Sequence, residues 1–456
     1  MSALDWARLL ALTSLGAPAV AFVVLATRTM LARPWREERI GRFVGVAFTL
    51  SVLAAVALLA VMLALEIPAL RVSFGVLFQL GHYRIEPSLS IDRLSLPFVL
   101  ITSALCGIVG AFSHRYLHLE SGYNRFFVLL TMFASAMLLL VTADSAVLVF
   151  ASWELLGITS ALLVAFYHER RGPVANGLWV WGIYRISDIG LIAMALLLVH
   201  TAGSEQFSSL FGPEAWPHRL SLGFFESRSS AAALPFATPL ALLVVFAALG
   251  KSAQLPFSSW LPRAMEGPTQ SSAIFYGALS VHAGAYLLLR VAPLLEQSFV
   301  ARLLVITLGG TTAIHATLVE RTQSDIKAAL SYASLAQVGL IFVEIGLGFR
   351  LLAVAHIVGH ACVRSLQFLR APSLLRDVRA WRAALPLEDE ARDDRSVSPA
   401  LRALYAHALG RFHLDALLRR GVVEPVRGLF EALARAEEGL VERIKRGADD
   451  DGEGHS

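Results

Sequence analysis

Charged residues are scarce in this sequence. Asp, Glu, Lys and Arg make up 16% of its 456 residues, whereas soluble domains usually carry about 25%. Hydrophobic residues make up 56%, and the mean hydropathy is +0.62. We therefore expect most of the chain to lie in lipid. The net charge is only +4, and the arginines cluster in a few loops, which favours membrane topology over nucleic-acid binding.

Cysteine is nearly absent as well. The two cysteines, Cys106 and Cys362, lie far apart within apolar runs, which disfavours a disulfide framework or a cysteine metal site. Both are interpreted as small core residues, and no metal or redox cofactor is expected in this chain.

Long apolar runs dominate the sequence instead. A bilayer core of ~30 Å needs ~20 apolar residues per helix, and eleven runs meet this rule. They lie near 7–27, 43–66, 96–113, 126–142, 145–167, 179–200, 236–262, 271–293, 300–319, 326–347 and 350–370. The predicted fold class is an all-α polytopic membrane protein with about 11 transmembrane helices.

Arginine is unevenly divided between the loops. The loops after the odd-numbered spans are rich in arginine, and the loops after the even-numbered spans are poorer. Because positively charged loops remain in the cytoplasm, we expect a bacterial inner-membrane protein with a periplasmic N-terminus and a cytoplasmic C-terminus. On the outer side, the alternating pattern of 70–92 predicts an extended hairpin, and 201–235 reads as an external loop.

The membrane pattern stops near residue 370. Residues 1–370 are predicted to form the transmembrane domain, and 371–456 a cytoplasmic segment with a charged linker at 386–399. Apolar residues then recur at helical spacing, which indicates an amphipathic helix: Val422, Val426, Leu429, Phe430, Leu433, Leu440 and Ile444. This helix could dock on a partner, lie on the membrane surface or pack on its own membrane domain.

Lysine is the rarest charged residue, since the sequence contains only Lys251, Lys327 and Lys445. Arginine stays protonated in almost any setting, whereas burial can neutralise lysine. Lys251 lies in the middle of the seventh span, ahead of Pro256 and Pro262, which must interrupt the helix. Burying a charge in the bilayer costs at least ~2.5–3.5 kcal/mol. We therefore predict an ion-translocating site at a discontinuous helix near Lys251.

Further charges lie in neighbouring spans. Glu154, in the fifth span, is the predicted counter-ion of Lys251, with a static buried pair as the alternative. Arg185 and Asp188, in the sixth span, share one helical face and could be a self-satisfied pair. Lys327 lies at the inner end of the tenth span, where a proton-carrying and an interfacial structural role are both open.

Histidines mark the eleventh span. His356, His360 and Arg364 are spaced i, i+4, i+8 and project from one face. Because no third metal ligand accompanies the histidines, a proton relay is favoured over a metal site. His282 and His315 could extend this relay, although a lone histidine is more often a packing residue.

Three long motifs, residues 125–167, 250–290 and 321–340, resemble in order the signatures of the antiporter-like subunits of respiratory complex I and of multisubunit cation/proton antiporters. The resemblance covers roughly residues 80–370 and implies the helix bundle of that family. It also implies which positions carry protons: Glu154, Lys251, Lys327, His356 and His360, with Asp188 at a further acidic position.

The sequence departs from the family pattern at several positions. The usual GPTP reads GPTQ at 267–270, and Tyr276 replaces an expected histidine, while His282 follows six positions later. Arg364 stands where the family has lysine, so it is assigned an electrostatic gating role. The family's second, inverted half with its own lysine-bearing broken helix is expected to be missing.

With these departures, the sequence resembles the DabB membrane subunits of two-component inorganic-carbon accumulation systems. That resemblance implies a heteromeric complex with a large cytoplasmic, zinc-containing DabA-like partner, which turns CO₂ into bicarbonate. The chain itself would be a transporter subunit rather than an enzyme, and it would pass H⁺ or, as the second choice, Na⁺. Two alternatives stay open: a subunit of a complex I-like or Na⁺/H⁺ antiporter complex, and a passive membrane anchor.

Overall fold

The computed structural model describes residues 2–80, 83–211, 236–384 and 398–452. These residues are mostly helical. The chain divides into two compact units, residues 1–392 and 393–456, and each is described by itself.

The first unit is an integral membrane bundle. Ten helical segments in the described ranges are long and apolar enough to cross a membrane. Six come first: α1 (Ala3–Met30), α2 (Glu37–Ala64), α3 (Ser95–Tyr116), α4 (Tyr123–Thr142), α5 (Ala146–Val164) and α6 (Arg171–Ala202). After the short α7 (Phe207–Phe211) comes α8 (Ala237–Lys251), an apolar helix of 15 residues at the position of the predicted seventh span.

The chain is interrupted directly after α8. The next helix, α9 (Trp260–Arg263), begins only after a turn in which Ala253 adopts a positive φ of 53°, and Pro256 lacks the N–H that a continuing helix would need. A short 3₁₀ turn, Ala264–Glu266, follows. The predicted discontinuous helix near Lys251 is therefore confirmed.

The segment Thr269–Arg290 lies at the centre of the bundle, where its apolar stretch is fully buried. It is not a regular helix. A first turn, α10 (Thr269–Ser271), leads into a π-helix over Ser272–Leu279 and a 3₁₀ turn over Ser280–His282, before α11 (Ala283–Arg290) resumes. The sequence predicted an uninterrupted span here. Widened helical turns of this kind are frequent at functional sites.

Four further helices complete the first unit: α12 (Ala292–Glu296), α13 (Phe299–Glu320), α14 (Ile326–Leu347) and α15 (Arg350–Ala384). With α8, the ten long spans account for all eleven predicted positions. In the bundle, α5 packs between α4 and α6, α6 against α8, and α14 between α13 and α15, while α15 also contacts the π-helix.

The predicted hairpin between α2 and α3 is confirmed. Strand β1 (Ala69–Ser73) pairs antiparallel with β4 (Ser88–Asp92), and β2 (Phe78–Leu80) pairs with β3 (Tyr83–Ile85). Most of the predicted external loop, residues 212–235, lies outside the described residues.

The second unit contains α16 (Pro399–Leu409), α17 (Leu414–Leu418) and α18 (Glu424–Gly452). The predicted amphipathic helix is confirmed as α18, whose apolar side chains at positions 426, 429, 430 and 433 are exposed; its docking role stays a prediction. The predicted linker lies outside the described residues up to position 397, and the domain boundary at 370 also stays a prediction, although α15 continues past it.

Candidate ion-translocation site

Lys251 is the last residue of α8, and its side chain is fully buried. Its Nζ donates a hydrogen bond to the Trp153 carbonyl at 2.9 Å. The same ammonium lies 4.2 Å from the centroid of the Tyr184 ring and 5.0 Å from that of the Trp153 ring. One hydrogen bond and two aromatic faces thus stabilise a cation that has no contact with solvent.

Arg185 joins the two acidic residues of this region. Its guanidinium pairs with the Glu154 carboxylate on α5 and donates to Asp188 Oδ2 at 2.9 Å on its own helix. The predicted Arg185–Asp188 pair is therefore confirmed. The predicted direct pair of Glu154 with Lys251 is corrected, because the planar, forked guanidinium bridges both carboxylates and takes the Glu154 contact.

Trp153 connects these pairs to Lys251. Its indole N–H donates to Asp188 Oδ1 at 2.5 Å, while its carbonyl accepts the hydrogen bond from Lys251. Asp188 and Glu154 both act on the Lys251 ammonium electrostatically. Sequence reasoning missed Trp153, although its place next to Glu154 was a usable signal.

His360 on α15 contacts His282 in the distorted central segment. His282 Nδ1 lies 2.5 Å from the Ala278 carbonyl, which only accepts, so this nitrogen carries the proton. In the neutral ring, Nε2 is then an acceptor, and it lies 3.1 Å from His360 Nδ1. His360 therefore donates to His282. Its own Nε2 is buried, has no hydrogen-bond partner among the described residues, and is left as a proton acceptor.

His356 bridges α15 to α14. Its Nδ1 lies 2.8 Å from Glu344 Oε1, and its Nε2 lies 3.1 Å from Gln337 Oε1. An imidazolium donates to both oxygens. A neutral ring donates from Nδ1 to Glu344 and accepts at Nε2 from the amide nitrogen of a rotated Gln337. Glu344 was not among the residues predicted for the site. Its seven-residue spacing from Gln337, which places both on one face of α14, was the signal for this contact.

The remaining predicted residues lie elsewhere. Lys327, in the first turn of α14, donates to the carbonyls of Met265 at 2.8 Å and Gly267 at 3.1 Å. The His315 ring faces Tyr332, with 6.5 Å between centroids, so the structure does not bring it to the histidine pair. Arg364 is buried one turn after His360, and its Nε has no hydrogen-bond partner within the described part of the chain.

Hydroxyl groups link the two centres. Tyr276 donates to the Ser160 carbonyl at 2.5 Å, and Ser160 Oγ lies 3.5 Å from Ser280 Oγ. Polar contacts thus run from α5, which carries Trp153, to the segment that carries His282. Among the described residues, no group of three His, Cys, Asp or Glu side chains is placed to hold a metal ion.

The chain matches two related families of membrane domains. Residues 143–385 match the transmembrane domain of NADH:quinone oxidoreductases and Mrp antiporters, and residues 77–127 match the N-terminus of complex I chain 5. A chain of the Mrp complex from Dietzia sp. DQ12-45-1b superposes with a TM-score of 0.64 at 29% identity, over 79% of this chain and 37% of that one.

Curated relatives fall into two groups. NADH-quinone oxidoreductase subunit L of Rhodobacter capsulatus is 34% identical over 292 residues, which is 62% of this chain and 40% of the relative. The probable inorganic carbon transporter subunit DabB1 of Halothiobacillus neapolitanus is 33% identical over 292 residues, or 64% and 50%. This chain thus spans half the length of these relatives or less. Since the transmembrane-domain model covers more than half of its residues, the chain belongs to the NADH:quinone oxidoreductase/Mrp antiporter membrane-domain family.

Proposed function

We propose that this protein passes protons through a bacterial inner membrane and that the flow powers inorganic-carbon uptake by a cytoplasmic partner. The observation that carries the ion-translocating part is the fully buried Lys251 ammonium at the end of a broken helix, next to the bridged Glu154–Arg185–Asp188 group. Ionisable side chains at membrane depth are costly and belong to ion pathways in most membrane proteins. Broken helices also mark ion sites in transporters, because their half-helix ends and unwound backbone carbonyls contact the ion or substrate.

The shared guanidinium of Arg185 supplies a switch. While Arg185 divides its hydrogen bonds between Glu154 and Asp188, the negative charge of Asp188 still stabilises the nearby Lys251 ammonium. If Glu154 takes up a proton, its hold on Arg185 weakens, and Arg185 can neutralise Asp188 more fully. The Lys251 ammonium then loses electrostatic support and gives up its proton. One protonation event on α5 would thereby trigger release from α8.

The histidine group would receive and pass on the proton. His360 Nε2 is an acceptor held in place by the hydrogen bond from His360 Nδ1 to His282. His356 lies one turn before His360 on the same face of α15 and contacts the Glu344 carboxylate. Lys327 donates to the Met265 carbonyl in the turn before α10. We propose it as the last proton carrier at this end of α14.

The carbon-uptake part of the proposal is supported by the likeness to DabB1 and by the departures at Gln270, Tyr276 and Arg364. The proposed partner is a DabA-like zinc subunit that hydrates CO₂, and the C-terminus would face it from the cytoplasmic side. A second candidate function, as a subunit of a redox-driven or Na⁺/H⁺ antiporter complex, is favoured by the equal likeness to subunit L and to the Mrp chain.

Growth rescue tests the proposal. A carbonic-anhydrase-deficient bacterium would express this chain together with the proposed DabA-like partner, and growth would be measured at ambient CO₂. We expect wild type to restore growth, and Lys251→Ala, Glu154→Gln and a protonophore each to abolish it. Glu169→Gln, which changes an exposed loop carboxylate, is the matched control and should grow like wild type.

The other outcomes separate the candidate functions. If wild type fails to rescue growth although both proteins are expressed and assembled, carbon uptake is refuted and the antiporter candidate is favoured. If rescue survives Lys251→Ala and Glu154→Gln together, the chain acts as a passive anchor.

A further inference from the structure

The outward face of α6 carries a charge where an apolar side chain is expected. Exposed apolar residues recur along this helix every three or four positions, namely Leu178, Trp181, Ile189, Ile192 and Leu196. Arg185 occupies the central place in this stripe, and 30% of its side chain is exposed. Its guanidinium lies 5.5 Å from the centroid of the Trp181 ring on the same stripe.

The adjacent helix repeats the arrangement with the opposite charge. On α5, Val147, Ile158 and Leu162 are exposed in one stripe, and Glu154 lies between them with 19% of its side chain exposed. At ~1.5 Å per residue, both charges lie close to the middle of their helices. The two stripes therefore form one apolar surface with an ion pair at the depth of the bilayer centre.

Lipid is a poor neighbour for such a pair. Hydrocarbon cannot hydrogen-bond the exposed part of a guanidinium or carboxylate, and charged side chains inside membranes almost always face protein or a water-filled cavity. Glu154 and Arg185 pair with each other, yet 19% and 30% of their side chains remain exposed on the outer side of the bundle, flanked above and below by exposed apolar residues that suit a helix–helix contact. The surface defined by the exposed residues of α5 and α6, here called the α5–α6 face, thus has the features of a protein interface within the membrane.

We propose that the α5–α6 face binds the α5–α6 face of a second copy of this chain, around a two-fold axis along the membrane normal. The two charges lie side by side at one depth, because they form an ion pair. A two-fold rotation about that axis places Arg185 of one copy opposite Glu154 of the other, and the reverse. The four charges then alternate around the axis, so the face is complementary to itself, as isologous contacts require.

The apolar residues extend the contact above and below the charges. Ile158 lies one turn from Glu154 and Ile189 one turn from Arg185, and both are exposed. Trp181 adds a large surface on α6. Membrane helices associate through van der Waals packing and interhelical polar contacts, since lipid provides little hydrophobic drive between them. The pairing concerns assembly and holds whichever ion the chain carries.

Cysteine cross-linking in membranes tests the pairing. One cysteine at a time replaces Ile158 or Ile189 in a Cys362→Ser chain, because Cys362 is exposed and not in the core as predicted, whereas the remaining Cys106 is buried. The full chain is expressed together with the proposed DabA-like partner. A short bifunctional thiol reagent should yield a product of twice the chain mass at both positions. Leu303→Cys and Ile314→Cys, on the exposed side of α13, are the matched controls and should not cross-link. These variants leave the ion pair intact, so a negative result cannot be ascribed to its loss.

Charge variants then test the four-charge contact. Arg185→Glu in the Ile158→Cys chain should lower the cross-linked fraction about tenfold, which corresponds to 1.4 kcal/mol. The exchange Glu154→Arg with Arg185→Glu restores alternation and should recover most of the yield. The proposal is overturned if the cysteines at 158 and 189 are labelled but form no cross-link, or cross-link only to a different protein. It is also overturned if the α13 control cysteines cross-link equally, or if the Arg185→Glu and exchange variants do not change the yield.

Discussion

Gly157 on α5 provides the space that the Lys251 ammonium occupies: a Cβ at position 157 would lie 2.9 Å from Nζ and 3.4 Å from Arg185 Nη2. We expect Gly157→Ala to push the ammonium away from the Trp153 carbonyl and to lower proton flux roughly tenfold, as for the loss of about 1.4 kcal/mol. The measurement is dye-reported proton uptake into proteoliposomes that contain this chain purified with its proposed partner.

Gly182→Ala is the matched control. It makes the same change in the neighbouring helix α6, where an added Cβ meets nothing within 4 Å, and alanine favours helix over glycine by up to ~1 kcal/mol. Flux should therefore stay at the wild-type level in this variant. Equal flux in both alanine variants would show that the position of the ammonium does not limit transport.

Much of the fold could be predicted from the sequence, because spans and their interruption depend on local composition. Apolar runs of sufficient length located all eleven positions, and Pro256 indicated the break after Lys251. The π-helix could not be predicted, since residues 272–279 form an ordinary apolar run. Its widened turns depend on packing in the folded bundle, where Gly277 lies against the Phe368 ring.

The candidate site was predictable in its members but not in all its pairings. The depth of Lys251 followed from its place in an apolar run, and the Arg185–Asp188 contact from spacing within one helix. The partner of Glu154 was not determined by the sequence, because Lys251 and Arg185 both lay in neighbouring spans. Only the approach of α5 to α6 shows that Arg185 takes this contact.

His282 is expected to set the tautomer of His360. Replacing it by Phe removes the acceptor for His360 Nδ1, so the His360 ring can place its proton on Nε2 and lose the acceptor that the proposed relay needs. We expect proton flux to fall at least tenfold in His282→Phe, about 1.4 kcal/mol. His282→Gln, whose amide oxygen can accept the same hydrogen bond, should retain more of the flux.

The control for this prediction is His315→Phe, since His315 faces Tyr332 and not the histidine pair. It should leave flux near wild type. If the Gln and Phe variants at position 282 lose equal flux while both remain folded by size-exclusion chromatography, then His282 acts through packing and not through the hydrogen bond.

Lys327 combines a structural contact with a proposed proton-carrying role, and two substitutions separate them. Lys327→Met removes the hydrogen bonds to the Met265 and Gly267 carbonyls and should lower both thermal stability and flux. Lys327→Arg can still donate to those carbonyls but does not release a proton under physiological conditions. We expect it to recover stability in thermal unfolding assays without recovering flux. Full flux in the Arg variant would leave Lys327 with the structural role alone.

The ion pair between Asp92 and Arg290 should make stability depend on acid pH. Asp92, at the end of β4, bonds Arg290 at 2.5 Å and ties the hairpin to the central segment. Burial raises the pKa of the Asp92 carboxyl, but the Arg290 charge and the hydrogen bonds from Arg290 and Ser95 outweigh burial and hold this pKa below its ordinary value of 3.8.

A carboxyl with a lowered pKa in the folded state stabilises the fold above its unfolded pKa and loses that contribution as the pH falls through the folded value. Asp92→Asn should therefore destabilise the detergent-solubilised protein by roughly 3–5 kcal/mol at pH 7, as expected for a broken buried pair. Below pH 3.8 the difference from wild type in tryptophan-monitored thermal unfolding should shrink, because wild-type Asp92 becomes protonated too. Glu66→Gln, which changes an exposed carboxylate, should show neither effect. A difference that stays constant from pH 7 into the acid range would mean that Asp92 contributes through its shape and hydrogen bonds and not through its charge.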